Sequence, residues 1–194
     1  MLTGAVRRRG SDEGELVRRA RAGDAEAYGE LLRAHRRSAL RVATVVLGTA
    51  EGADDVVQQA SERAWRAIGR FRPDRAFRPW LLRVVANTAR NDRRSRGRRA
   101  NLALRAAQRT AAADVVATPE DLVVTQAERQ RVVAALNRLR ADDRLVIALR
   151  HFEQLSEREM VEALGRPAGT VKSRLSRAVA RLRVELERDR EEDC

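Results

Sequence analysis

The chain of 194 residues is poor in cysteine, histidine and aromatic side chains, and it has no long apolar run. Its one cysteine, Cys194, is the last residue, so an internal disulfide framework is excluded. His35 and His151 lie far apart in sequence and have no partners at the spacing of a zinc site, so no metal or other cofactor is expected. No apolar stretch approaches the length of roughly 20 residues that a membrane-spanning helix needs. We therefore expect a cytoplasmic protein without a membrane span.

What the chain has in excess is arginine. The formal net charge is +12, and Lys172 is the only lysine among 40 basic residues. Such a charge points to an anionic partner, for which nucleic acid is the first candidate. No set of nucleophile, base and orienting group is present, and the glycines near residue 165 lack the pattern of a phosphate-binding loop. We therefore expect no enzymatic activity.

Residues 155–175 have the pattern of a helix-turn-helix. Ser156 and Glu159 have the spacing of a capping box at the start of a helix. Gly165 follows the apolar face of that helix, where a left-handed residue often ends it, and Pro167 suits the start of the next helix. The spacing predicts two short helices joined by a tight turn.

The second helix of this pair has one apolar face and one polar face. Its polar face combines short hydroxyl side chains with long cations, which suits the base edges and phosphates of a DNA major groove. The alternative is an ordinary solvated amphipathic helix. The capped helix, the turn and the basic second helix together favour DNA binding, with these candidate residues: Thr170, Lys172, Ser173, Arg174, Ser176, Arg177 and Arg181.

Helical periodicity extends over almost the whole chain, and no strand pairing is indicated, so the predicted fold class is all-α. We predict two small helical domains of four helices each, over residues 12–99 and 128–185. Between them, residues 100–127 are rich in alanine and contain too few large apolar side chains to form a core of their own. This segment is interpreted as a linker.

With these motifs in place, the two halves together resemble a bacterial RNA polymerase sigma factor of the extracytoplasmic-function type. In the C-terminal half, the string Gly-Thr-Val-Lys-Ser-Arg at 169–174 resembles region 4 of the family. In the N-terminal half, Asp-Asp-Val-Val-Gln-Gln at 54–59 and Phe-Arg-Pro-Trp at 77–80 resemble region 2. The resemblance covers roughly residues 12–99 and 128–185.

The resemblance implies a promoter-specificity subunit that binds core RNA polymerase, through the β′ coiled coil and the β subunit, and recognises the −10 and −35 promoter elements. It implies core-polymerase docking through Asp54, Asp55, Gln58 and Gln59. It implies contact with the −10 element, duplex and single-stranded, through Phe71, Phe77, Trp80, Arg83, Asn87, Arg90, Asn91 and Arg94. The helix-turn-helix residues named above would contact the −35 element, and an anti-sigma factor is a further partner that the family implies.

Two other classes of function are weighed against this one. An autonomous helix-turn-helix regulator would bind duplex DNA alone, but it would have no need for the N-terminal motifs at 54–59 and 77–80. An RNA-binding or adaptor protein is a third class, and no signature of the common RNA-binding folds is found in the sequence.

Overall fold

A computed structural model describes residues 13–104 and 126–192, and within these ranges it consists of helices without strands. Most of the predicted linker and Cys194 lie outside the described residues. The prediction of an all-α fold is confirmed. The helices are α1 (13–21), α2 (Ala25–Leu47), α3 (Ala53–Ala67), α4 (Phe77–Leu104), α5 (Gln126–Arg138), α6 (Ala141–Ile147), α7 (Glu157–Leu164) and α8 (Ala168–Glu192).

Helices α1 to α4 form the first module, and α2 is capped at both ends. Asp24 accepts hydrogen bonds from the backbone amides of Glu26 and Ala27, each at 3.0 Å, which satisfies amides that the helix itself cannot pair. At the other end Gly48 has φ 86°, a left-handed conformation that glycine adopts at low cost. A short 3₁₀ turn, Ile68–Arg70, follows α3 and leads into the loop before α4.

Helices α5 to α8 form the second module, where the predicted helix-turn-helix is α7 and α8. The predicted capping box is present: Ser156 accepts from the amide of Glu159, and the Glu159 carboxylate accepts from the amide of Ser156 at 2.8 Å. Gly165 ends α7 with φ 61°, as its position predicted. A π-helical segment, Ala148–Phe152, joins α6 to the loop before α7.

The two modules pack against each other and share one hydrophobic core. Helix α2 contacts α6, and α4 contacts α7. Leu31 and Leu81 of the first module belong to the same buried cluster as Leu149 and Leu155 of the second. The sequence predicted two domains joined by a linker; the structure adds that an extensive interface holds them together.

Candidate nucleic-acid interface

The candidate −35 residues lie on the N-terminal half of α8. Thr170, Lys172, Ser173, Ser176, Arg177 and Arg181 are exposed, and Arg174 is half-buried. Val171 and Ala178, on the other side of the helix, are buried in the core and fix its orientation. This arrangement presents hydroxyls and guanidinium groups on one face, as a recognition helix requires.

Two of these arginines are paired with carboxylates of α6. Arg181 donates to Asp143 at 2.5 Å, and Arg174 lies 3.3 Å from Asp142. Asp143 is buried, whereas half of the Asp142 side chain is exposed. The first turn of α6 therefore supplies the counter-charges for the recognition helix.

The candidate −10 residues on α4 form an exposed basic face. Arg83, Asn87, Asn91 and Arg94 are exposed, and Arg90 is half-buried. The side-chain carbonyl of Asn87 accepts a hydrogen bond from Arg90 at 3.2 Å. Guanidinium and amide groups at successive turns of one helix can follow a phosphate backbone.

The candidate −10 aromatic residues are placed differently from one another. Phe77 is 0% exposed and Phe71 is 4% exposed, while Trp80 is half-buried. The three rings contact one another, with centroids 4.9 Å apart for Phe71 and Trp80 and 5.5 Å apart for Phe77 and Trp80. Because the two phenylalanines belong to the core, they cannot stack on DNA bases in this arrangement. Their contact with DNA stays a prediction, which their burial does not favour. Trp80 is the ring of the three with an accessible part.

The candidate docking residues Asp54, Asp55, Gln58 and Gln59 are all exposed on α3. Asp54 pairs with Arg36 of α2 at 2.8 Å. The opposite face of α3, with Val56 and Ala60, is buried against the module. The four polar side chains therefore share a solvent-facing surface of the first module.

The basic face of α4 and the start of α8 meet across a cleft of about 500 Å³. The residues of α4 that line the cleft are Arg83, Asn87, Arg90, Asn91 and Arg94, and those of α8 include Thr170 and Arg174. Asp142 lies between the two helices and accepts from Arg90 at 2.9 Å. Burial acts to raise the pKa of the Asp142 carboxyl, but the charges and hydrogen bonds of Arg90 and Arg174 outweigh it, so its pKa lies below the usual value.

Three residues that sequence reasoning missed connect the modules: Asp142, Arg144 and Glu153. Arg144 is 4% exposed, and burial lowers the pKa of its guanidinium to about 10, with repulsion from Arg93 as a smaller cause. Glu153 is 2% exposed. The sequence held one signal for their burial, which is that these charged residues stand among the apolar residues of 139–155. That position does not reveal which residue of the first module each one contacts.

Among the described residues, no group of three histidine, cysteine or acidic side chains is arranged to hold a metal ion. His35 instead lies 3.3 Å from Glu13 and packs near Phe77. Within the ranges described, no helix combines the length and the apolar character that crossing a bilayer demands.

Two family models match the chain. The model for Sigma-70 region 2 matches residues 31–99, and the model for Sigma-70 region 4 matches residues 129–182. The first match contains α3 and the basic face of α4, and the second contains the helix-turn-helix.

Related proteins match most of the chain in sequence. It is 37% identical to the RNA polymerase sigma factor NccH of Alcaligenes xylosoxydans xylosoxydans over 174 residues, which cover 89% of this chain and 93% of that protein. It is 35% identical to the ECF RNA polymerase sigma-E factor of Escherichia coli K12, over 84% of this chain and 88% of that protein.

Two solved structures are similar in fold over most of the chain. CnrH, in complex with the cytosolic domain of CnrY, has a TM-score of 0.65 at 30% identity and covers 92% of this chain and 99% of its own. The sigma factor RpoE from Bartonella quintana, in complex with the anti-sigma factor NepR, has a TM-score of 0.69 at 26% identity, with coverage of 82% and 96%.

Proposed function

The chain belongs to the extracytoplasmic-function type of the sigma-70 family, and we propose a division of work among its helices. The family makes it a promoter-specificity subunit of bacterial RNA polymerase that directs transcription initiation. In our proposal α3 docks on core polymerase, α4 holds the −10 element, and α8 reads the −35 element. The first module, residues 12–99, and the second, residues 128–185, are the functional units.

Docking on polymerase is assigned to Asp54, Asp55, Gln58 and Gln59. The observation that supports this assignment is their shared exposure on one face of α3, opposite a buried apolar face. Acidic side chains on a protein of net charge +12 are suited to a basic partner surface, where they would guide association. None of these four residues lines the arginine-rich cleft between α4 and α8, so polymerase and DNA would use different side chains.

Promoter contacts are assigned to the two basic faces. On α4, Arg83, Asn87, Arg90, Asn91 and Arg94 would hold the −10 region, with the accessible part of Trp80 available for stacking on an unpaired base. On α8, the residues from Thr170 to Arg181 on the exposed face would lie in the −35 major groove. Each arginine that neutralises a phosphate is expected to steepen the dependence of log affinity on log salt by about one unit.

Three further points belong to the same proposal. CnrH and RpoE were both solved in complex with another protein, and the partner of RpoE is an anti-sigma factor. These complexes support a protein inhibitor as a partner of this chain as well. The protein would act in the cytoplasm, where RNA polymerase is. It would itself catalyse no reaction, since bond formation belongs to the polymerase.

The test of this proposal is a pull-down and gel-filtration assay with bacterial core RNA polymerase. The wild-type chain should bind stoichiometrically, and Asp55→Arg with Gln58→Arg should abolish binding because two added cations would face a basic partner. Glu26→Arg with Ala22→Arg is the matched control, since it makes the same change of charge at exposed positions outside α3.

A wild-type chain that ignores core polymerase but binds a duplex tightly by itself would support the autonomous regulator instead. Equal loss of binding in the test and control variants would refute the assignment to α3 while leaving the function intact. Helical content measured by circular dichroism verifies that both variants fold.

A further inference from the structure

A second cavity lies beside the cleft described above, between α4, α8 and the start of α6. Its volume is about 550 Å³, and seven arginines, two aspartates and Ala141 line it. We call it the arginine pocket. Its guanidinium groups exceed its carboxylates by five positive charges. A concave surface with charges of one sign concentrates the electric field and attracts anions.

The two aspartates of the arginine pocket are already engaged by three of its arginines. Asp142 lies 2.9 Å from Arg90 and 3.3 Å from Arg174. Asp143 accepts a hydrogen bond from Arg181 at 2.5 Å. These carboxylates hold three guanidinium groups in place and leave the other four without a counter-charge.

The other four arginines reach the pocket from three different elements. Arg93 and Arg94 belong to α4, Arg140 immediately precedes α6, and Arg177 belongs to α8. All four are exposed, and in the part of the chain that the structure describes none of them pairs with a carboxylate. Arg177 donates only to the backbone carbonyl of Ser173, at 3.1 Å. Their donors are therefore available to a ligand.

Arginines that converge without counter-charges repel one another. Arg93 shows this effect, because its charge adds to burial, the larger cause, in lowering the pKa of Arg144. Self-repulsion of this kind destabilises the folded chain unless an anion offsets it. A bound anion accounts for the convergence of four unpaired arginines on one cavity.

The size and the chemistry of the pocket favour a short polyphosphate chain as that anion. A volume of about 550 Å³ is within the range of small-molecule sites. Planar guanidinium groups bind phosphate oxygens through paired hydrogen bonds, and several phosphates in a row can reach arginines that approach from different sides. Among the described residues that line the pocket none is aromatic, so no ring is available to select a nucleobase.

We propose that the arginine pocket binds the polyphosphate chain of a nucleoside triphosphate or of inorganic polyphosphate, and that its four unpaired arginines hold the phosphates. One consequence rests on the proposed function. Arg94 and Arg177 are assigned above to promoter DNA, so a bound polyphosphate would compete with the promoter for them. The site itself does not depend on that assignment.

Isothermal titration calorimetry of the whole chain, without DNA or polymerase, tests the site. The probes are inorganic tripolyphosphate, ATP, AMP and sulfate, at an ionic strength of about 0.15 M and without divalent cations. Tripolyphosphate should saturate one site per chain. AMP and sulfate should bind at least about tenfold more weakly, because each engages fewer guanidinium groups. Sulfate that binds as tightly as tripolyphosphate would overturn the proposal, since the pocket would then be a general counter-ion site.

ATP distinguishes the two sources of the polyphosphate chain. An affinity equal to that of tripolyphosphate would show that the pocket accepts a nucleotide. ATP that binds only as weakly as AMP would assign the site to inorganic polyphosphate. Binding of ATP without binding of tripolyphosphate would contradict recognition through the phosphates and refute the proposal.

The variant Arg93→Ala with Arg140→Ala locates the site. Both side chains are exposed and neither is assigned to polymerase or promoter, so the variant should fold and lose affinity for tripolyphosphate by about tenfold or more. The matched control, Arg33→Ala with Arg158→Ala, removes the same charge at exposed positions of α2 and α7 outside the pocket. Its affinity should stay within about twofold of wild type, because distant exposed charges are screened. Equal losses in the two variants would show that net charge alone is responsible and would sink the proposal.

A conservative variant separates charge from geometry. Arg93→Lys with Arg140→Lys keeps both charges and loses the planar fork, so its affinity should lie between those of wild type and the alanine variant. Circular dichroism verifies that each variant folds. The result is separable from the test of polymerase docking, because the titration contains neither polymerase nor DNA.

Discussion

The two modules differ in how their cores are built. Five of the six Phe, Trp and Tyr side chains of the sequence lie in the first module. There, Tyr28 packs on Trp65 with ring centroids 4.9 Å apart, and Phe71, Phe77 and Trp80 form a second cluster. The second module has a core of aliphatic side chains, and its one aromatic ring, Phe152, is 40% exposed.

The helices that meet at the junction between the modules also differ in length. Helices α2 and α4 of the first module have 23 and 28 residues, whereas α6 and α7 of the second have seven and eight. Short helices gain little from their own hydrogen bonds and depend on capping and on tertiary packing. The second module obtains both: the capping box of α7, and the packing of α6 and α7 against the first module. Helix α8 itself packs on α5, α6 and α7, so the first module positions α8 through its contacts with α6 and α7.

The largest expected effect is in the aromatic core. Phe77→Ala should lower the free energy of unfolding by about 3–5 kcal/mol, because it removes a fully buried ring and leaves a cavity. Urea denaturation followed by tryptophan fluorescence measures it. A variant of unchanged stability that fails to open promoters would show that the ring acts on DNA, against its assignment to the core.

A matching substitution in the aliphatic core of the second module tests the same comparison. Leu149→Ala in the second module should cost about 2–5 kcal/mol. Both tryptophans lie in the first module, so their fluorescence reports this loss only if the two modules unfold together, as their shared core indicates. A tryptophan transition unaffected by Leu149→Ala would show that the modules unfold independently.

A smaller effect is expected at the start of α7. Ser156→Ala should lower the free energy of unfolding by about 1 kcal/mol, because it removes the hydroxyl of the capping box. Amide hydrogen exchange should show the loss concentrated in α7 and the turn at Gly165. Ser176→Ala, at an exposed position inside α8, is the control and should leave exchange in α7 unchanged.

The smallest effect is the pH dependence of the junction. In the folded protein Asp142 pairs with Arg90 and Arg174, and its pKa lies below the usual 3.8. The ionised carboxylate therefore stabilises the junction fully above pH 3.8, and this contribution is lost as the pH falls through the lowered pKa. The free energy of unfolding should therefore decrease as the pH falls through 3.8 toward the lowered pKa of Asp142. Asp142→Asn should flatten part of this response, and a response identical to wild type would assign it to other carboxylates.

The local features of the chain could be predicted from sequence because each depends on residues close together in the chain. The caps at Asp24 and Ser156 and the left-handed Gly165 follow from side-chain chemistry and backbone sterics within one helical turn. The aromatic residues were harder to place, because clustering in sequence did not distinguish rings that form a core from rings on a surface. The family resemblance assigned Phe71 and Phe77 to the −10 element, and the structure buries both.

The all-α fold, the helix-turn-helix and the basic faces of α4 and α8 could be predicted from the sequence, since helical periodicity and capping are local properties. The meeting of these two faces, and the contacts of Glu153 and Arg144 between the modules, become visible only when the helices are packed together. Arg90 and Asp142 are 52 positions apart, and Arg78 and Glu153 are 75 apart. No local pattern selects one carboxylate among many for a given arginine. The shared apolar core makes that choice, because burying α6 and α7 against α2 and α4 brings these charges together.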